Sequence, residues 1–176
     1  PFPRTNKPED GSDRGHAPHA AGIAAAPANG VGIVGVAPAS ANPGVPGVSK
    51  VIPVQIADAR GISQDSTMIA GIRWAVNNGA KVVNISSGRP GASIAFQDTI
   101  NWAYRRGAPV VASVGNEGSV VVSPANCPGV VGVAGIRHVG TKVGFSNLGP
   151  GVALGAPGGN CVNIGSGEPC LYSIDT

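Results

Sequence analysis

Pro109–Gly118, PVVASVGNEG, is the stretch whose reading decides the fold. Pro109 opens a short apolar run, Val110, Val111, Ala112, Ser113 and Val114, which then breaks into Gly115-Asn116-Glu117-Gly118. Apolar residues on both parities of so short a run predict a strand buried on both faces, the habit of a parallel sheet covered by helices. A side-chain amide flanked by glycines, just past the carboxyl end of such a strand, sits where open α/β sheets place their chemistry. Held there, the Asn116 NH₂ can donate to an oxygen that turns negative in a transition state. Taken alone, the tetrapeptide also reads as an ordinary turn after a strand, so the neighbouring segments decide.

Working outward, Lys81–Ser86 (KVVNIS) reads as another strand, running into Ser87-Gly88-Arg89-Pro90-Gly91. Between the two strands, Ala95–Arg106 has helical spacing, with Phe96, Ile100 and Ala103 on one face and Gly107 closing it. Before them, Ser63–Asn78 predicts a helix capped by Asp65 or Ser66, with Met68, Ile69, Ile72, Ala75 and Val76 as its apolar stripe and Gly79 as its end. Val51–Ile56 (VIPVQI) predicts a strand, in which Pro53 marks a bulge or an unpaired N–H. Strand, helix, strand, helix, strand at this spacing makes right-handed βαβ units, hence an α/β fold with a mostly parallel sheet. Val130–Ala134, Val143–Phe145 and Val152–Leu154 are shorter and read as later strands or sheet margins.

Toward the amino end, Gly15-His16-Ala17-Pro18-His19-Ala20 leads an Ala-rich run, and a Pro in the first turn predicts a helix with His16 at its N-terminus. Residues 1–14 are polar, Pro-rich and aperiodic, a loop or ragged end. Gly30-x-Gly32-x-x-Gly35 matches the dinucleotide fingerprint, with Asp58 about 20 residues on as the ribose ligand. The context argues against it, because no strand precedes Gly30 and Ala37-Pro38 ends any helix that Gly35 should open. No cofactor is predicted from this glycine-rich loop.

The 176 residues suffice for one domain, taken here as 1–176. With 28 glycines, 16 prolines and few charges, the chain is too apolar for disorder and lacks a collagen period, so a compact domain with many tight loops is expected. A net charge of only +3, with no basic run beyond Arg105-Arg106, gives no support to nucleic acid or an anionic membrane as partner. Every apolar run is broken by Gly, Pro or polar residues well short of a membrane span, and no signal peptide is read in this segment. Cys161 and Cys170 bracket VNIGSGEP, a loop that a disulfide would close for roughly 2–3 kcal/mol. That pair is favoured over reduced thiols, and export with it. Cys127 is left over, and no spacing suggests structural zinc.

Together these segments resemble the subtilisin-like serine proteases (subtilases). GHAPHAAGIAAA is similar to that family's GHGTHVAGIIAA, and GVAPAS, VIPVQI, WAVNNGAKVVNIS, VVASVGNEG, PANCPGVVGVAGI and GFSNLGPGVALGAPGG follow in the family's order. The similarity runs from about Gly15 to Gly159. It implies a three-layer α/β fold with helices on both faces of the sheet, here incomplete at both ends. It also implies hydrolysis of peptide bonds through an acyl-enzyme, with extended polypeptides as substrates. His16 then resembles the general base. Asn116 resembles the oxyanion donor, Ser86, Ser87 and Gly88 the segment that pairs with substrate backbone, and Val114-Gly115 the wall of the pocket for the residue before the cut. Glu117 would lie at that pocket's mouth. Calcium comes with the resemblance alone, since no ligand set in this sequence is diagnostic.

The departures are specific. Ala17 and Pro18 stand where the family has Gly-Thr, which bears on the placement of the His16 ring, and Ser87 stands where a larger apolar residue is usual. The family's aspartate belongs to an earlier strand, and neither Asp10 nor Asp13 has that setting. The nucleophile belongs to a Gly-Thr-Ser motif beyond the APGG segment, and Gly165-Ser166-Gly167 is not that motif. The expectation is an internal part of a catalytic domain whose remaining parts are its partners, inactive by itself. The alternative is a non-catalytic peptide binder on the same scaffold. A metal site at His16-x-x-His19 lacks a third ligand, because His138 is far along the chain.

Overall fold

The computed structural model describes residues 15–41, 46–47, 49–58, 60–91 and 93–159. The proposed Cys161–Cys170 pair and the 1–14 segment lie outside these residues. The described residues divide into two compact units, those up to Gly71 and those from Ile72 onward.

The first unit opens on helix α1, His16–Ala25. Gly15 caps it with φ 61°, a left-handed turn that glycine adopts without steric penalty, and the His19 N–H donates to the Gly15 carbonyl at 3.0 Å. Pro18 falls in the first turn, where the N–H groups have no intrahelical acceptor, so its missing donor costs the helix nothing. The carboxyl end of α1 is closed by the segment that follows. Gly35, Val36, Ala37 and Ala39 donate their N–H groups to the carbonyls of Ala26, Ile23, Ala24 and Ala25 at 2.9–3.0 Å. This is what the glycine pattern serves. A Cβ on Gly35 would lie 2.4 Å from the Ala26 nitrogen, so only glycine lets the returning backbone lie against the helix end. Gly35→Ala is therefore expected to destabilise the protein by several kcal/mol, on the order of the largest single-residue effects, because backbone cannot move aside as a side chain can. Chemical denaturation of variant and parent measures it, and an unchanged midpoint would contradict the packing.

Asp58, which the fingerprint would assign to a ribose, closes its own loop. Its Oδ1 accepts from the Arg60 and Ile62 N–H groups at 2.9 and 3.0 Å, and its Oδ2 pairs with Arg60 Nη2 at 3.0 Å. The Ile62 N–H, with Arg60 second, holds its carboxyl below the usual carboxylate range.

Val51–Ile56 is a correction. Its side chains alternate as expected, with Ile52, Val54 and Ile56 the less exposed set, but among the described residues it joins no ladder. The neighbouring pairing is an isolated antiparallel bridge, Ala57 to Ser63. Its apolar face is covered by helix α2, Asp65–Asn77, where a Cβ on Gly71 would come within 2.8 Å of Ile56 Cγ2 and 3.2 Å of Val54 Cγ1. A period of two reports that one face is buried; a helix can bury it without supplying backbone partners.

The second unit is built on a four-stranded sheet of β1 (Val83–Ile85), β2 (Val110–Ser113), β3 (Val130–Ile136) and β4 (Val152–Pro157), parallel throughout and in chain order. Val83 pairs with Val110 and Val110 with Val130, and the β3–β4 register shifts at Gly132/Val133. Helix α3, Ile94–Arg105, makes the β1–β2 crossover. Ser93 caps it by accepting from the Phe96 N–H at 3.1 Å, and Phe96, Thr99, Ile100 and Ala103 form its buried face. The β2–β3 and β3–β4 connections carry no helix, and Val143–Phe145, read as a later strand or sheet margin, is a loop and turn between β3 and β4, next to an isolated antiparallel bridge of Lys142 to Ile136. The reason is composition: those connections hold Gly115, Gly118, Gly129, Gly140, Gly149 and Gly151, all at positive φ. No helix among the described residues is long and apolar enough to cross a membrane.

Candidate active site

At the carboxyl end of β2 the ladder runs out one residue past the strand, where the Val114 N–H reaches the Val133 carbonyl at 3.2 Å. Val114 itself is buried. Gly115 follows with φ 105°, and the chain turns through 116–119 before Val122 comes back to donate to the Val114 carbonyl at 3.1 Å. The turn lifts Asn116 to the surface. Among the described residues its carboxamide has no hydrogen-bond partner, while its backbone N–H is held by Glu117 Oε2 at 3.0 Å.

Beside it lies a cavity of about 350 Å³ over the carboxyl ends of all four strands. Ser86 follows β1 into its wall; Val114, Gly115 and Asn116 line it from β2, Phe145 and Ser146 from the β3–β4 connection, and Pro157 from β4. No lining residue carries a formal charge. Asn84, also in the wall, donates to Ser86 Oγ at 3.0 Å and so fixes that hydroxyl's approach.

Of the residues singled out in the sequence, the structure thus gathers Ser86, Val114, Gly115 and Asn116 around one cavity. Ser87 and Gly88 are not in its wall; Gly88 packs on Val122, whose Cγ2 a Cβ would meet at 2.6 Å, and the neighbouring Arg89 exchanges backbone hydrogen bonds with Ser123 at 2.9–3.0 Å. Glu117, expected at a pocket mouth, is exposed beside Asn116. Its carboxylate turns back to accept from Asn147 Nδ2 at 2.6 Å, and it does not line the cavity. His16 belongs to the first unit, exposed in the opening turn of α1. Among the described residues, no three His, Cys, Asp or Glu side chains come together as a metal site. Cys127 is buried, with its Sγ 3.9 Å from Ser123 Oγ.

The residue that the sequence reading passed over is Asn147. It lies in FSNLGP, quoted above only as family pattern, and it is fully buried. A lone Ser-Asn pair between glycines is the one signal in the sequence, and it does not tell which segment will use the amide.

The sequence profile of the Subtilase family matches residues 3–176. The chain belongs to the subtilase family. Among curated subtilases, it is 36% identical over 159 residues to a subtilisin of Bacillus pumilus, covering 88% of this chain and 54% of that protein. It is 34% identical over 164 residues to subtilisin Savinase of Lederbergia lenta, covering 93% and 56%. The chain therefore spans about half the length of the curated relatives it matches. Among solved structures, a protease from Pseudoalteromonas arctica superposes with TM-score 0.70 at 34% identity, over 79% of this chain and 42% of that one. A cold-adapted subtilisin-like serine proteinase gives TM-score 0.56 at 30% identity, over 60% and 40%. The parallel sheet with its crossover helix is accordingly part of a subtilisin-like α/β fold.

Proposed function

We propose that the whole protein is a serine endopeptidase of subtilisin type, and that this segment supplies its general base, His16, and its oxyanion donor, Asn116. The observation that carries the reading is the Asn116 carboxamide, unpartnered among the described residues, at the rim of an uncharged cavity beyond a parallel strand. A serine from the remaining parts of the catalytic domain attacks the carbonyl carbon of an extended polypeptide. His16 takes the hydroxyl proton, and the carbonyl oxygen, now negative, accepts from Asn116 Nδ2. Collapse breaks the C–N bond, and His16 returns its proton to the leaving amine; water then releases the acyl group by the same route. Val114-Gly115 forms the wall for the residue before the cut, and Ser86, Ser87 and Gly88 offer backbone to the substrate as an added strand. Export fits the relatives and the Cys161–Cys170 loop.

Full-length protein is expected to cut casein and to be labelled by a fluorophosphonate serine probe, whereas the 176-residue chain alone is expected to do neither. Full-length protein that binds casein peptides yet leaves them intact would favour the non-catalytic binder, which the Ala17-Pro18 replacement motivates. Labelling of the isolated chain would overturn the division of roles.

A further inference from the structure

We propose that Asn147 is a positioning residue for Asn116, holding the 114–119 turn so that the Asn116 carboxamide alone is left to face substrate; the inference rests on the protease reading above. Asn147 is 0% exposed and lies in the connection between β3 and β4. An amide offers two N–H groups and two lone pairs, and here all four are used. Nδ2 donates to the Val114 carbonyl at 3.1 Å and to Glu117 Oε2 at 2.6 Å. Oδ1 accepts from the N–H groups of Glu117 at 3.0 Å and Ser119 at 2.8 Å. The Asn147 backbone N–H adds a fifth bond, to the Gly115 carbonyl at 3.0 Å. Two donors meet two acceptors and two acceptors meet two donors, so the orientation of the amide is determined by its partners.

These bonds reach the residues two and one before Asn116 and one and three after it, and none goes to Asn116 itself. Glu117 completes the bracket, since the oxygen that accepts from Asn147 also accepts from the Asn116 N–H. The backbone of Asn116 is thus fixed from both sides while its side chain is spared. Gly115 shows how close the turn lies: a Cβ there would stand 2.3 Å from Asn147 Nδ2. Asn147 is itself anchored. The Lys142 ammonium donates to the carbonyls of Val143, Gly144 and Ser146 at 2.7–3.0 Å, and Ser146 Oγ accepts from the Gly135 N–H on β3 at 2.9 Å. The donor's place is therefore referred to the sheet through a neighbouring connection, rather than through its own turn alone.

The test is Asn147→Asp in the full-length protein, which keeps shape and both acceptors but removes both donors and sets a carboxylate against Glu117. The expected result is a fall in kcat of roughly 10–100-fold, the scale of a small misplacement of a catalytic group, with KM changed far less. In an Asn116→Ala background the same change is expected to have almost no further effect on kcat, because the group it positions is gone. Adding Glu117→Gln to Asn147→Asp restores a donor facing an acceptor and is expected to recover part of the loss. Should Asn147→Asp fail to fold, Asn147→Ser, which buries no charge, is put through the same cycle with Asn116→Ala. Parent enzyme that is active, with either variant equally harmful whether or not Asn116 is present, overturns the positioning role alone. A parent that cuts no peptide overturns the protease reading beneath it.

Discussion

Replacing Asn116 by alanine in the full-length protein is expected to lower kcat on a peptide substrate by about 10²–10³-fold, some 3–4 kcal/mol, a magnitude taken over from subtilisin as the family's own type case. KM should move little. The substrate carbonyl is neutral in the ground state and gains from one more donor hardly more than it gains from water. The oxygen becomes an anion only as the bond to serine forms, and only then does a fixed Nδ2–H give more than solvent can. The backbone that would carry this donor is tied at Val114, Gly115, Glu117 and Ser119, and the Asn116 carboxamide has no partner among the described residues. Asn116→Asp sharpens the experiment, since it keeps the shape, removes the donor and puts negative charge where negative charge develops; it should be at least as damaging as alanine. A variant with kcat unchanged and KM raised would show that Asn116 only binds substrate, and the oxyanion role would fall.

Much of this site can be read in the sequence because its logic is local. Val110–Val114 followed by Gly115-Asn116 specifies a buried strand that stops and exposes an amide, and nothing remote is needed to see it. The α3 face is legible for the same reason: Phe96, Ile100 and Ala103 recur at helical spacing, and all three are buried. What escapes is whatever depends on a partner elsewhere in the chain. Val51–Ile56 has the alternation of a strand, but pairing needs a neighbour, and its apolar side is spent against Gly71 of α2. Gly35 completes the dinucleotide fingerprint because both uses of glycine answer one demand, close approach of backbone to something; only the structure shows that the something is the end of α1. Asn147 is the extreme case. Its carboxamide works on Val114, Glu117 and Ser119, 33, 30 and 28 residues away, so nothing near it in sequence announces the role.

His16→Ala should be the most damaging single change in the described chain, lowering kcat by about 10⁶-fold, again the scale known from subtilisin itself, with KM nearly unaffected. Without a base the serine hydroxyl keeps its proton at the moment of attack, and the leaving amine has no donor when the C–N bond breaks. The departure from the family's Gly-Thr tests whether this position still works. Pro18 lies in the first turn of α1, where its absent N–H breaks no helical bond, and His16 stands at the first helical residue behind a glycine with φ 61°. On that geometry Ala17 and Pro18 leave the backbone under His16 regular, so restoring Pro18→Thr should raise kcat little. His19, one turn along the same helix, is the control. His19→Ala should leave kcat close to that of the parent, since a single imidazole serves both proton transfers. If His16→Ala kept a tenth of the activity, or His19→Ala removed most of it, the base would have been misassigned. If Pro18→Thr instead restored activity to a protein that lacked it, the scaffold would be a protease disabled at this turn, and the peptide-binding reading would take over.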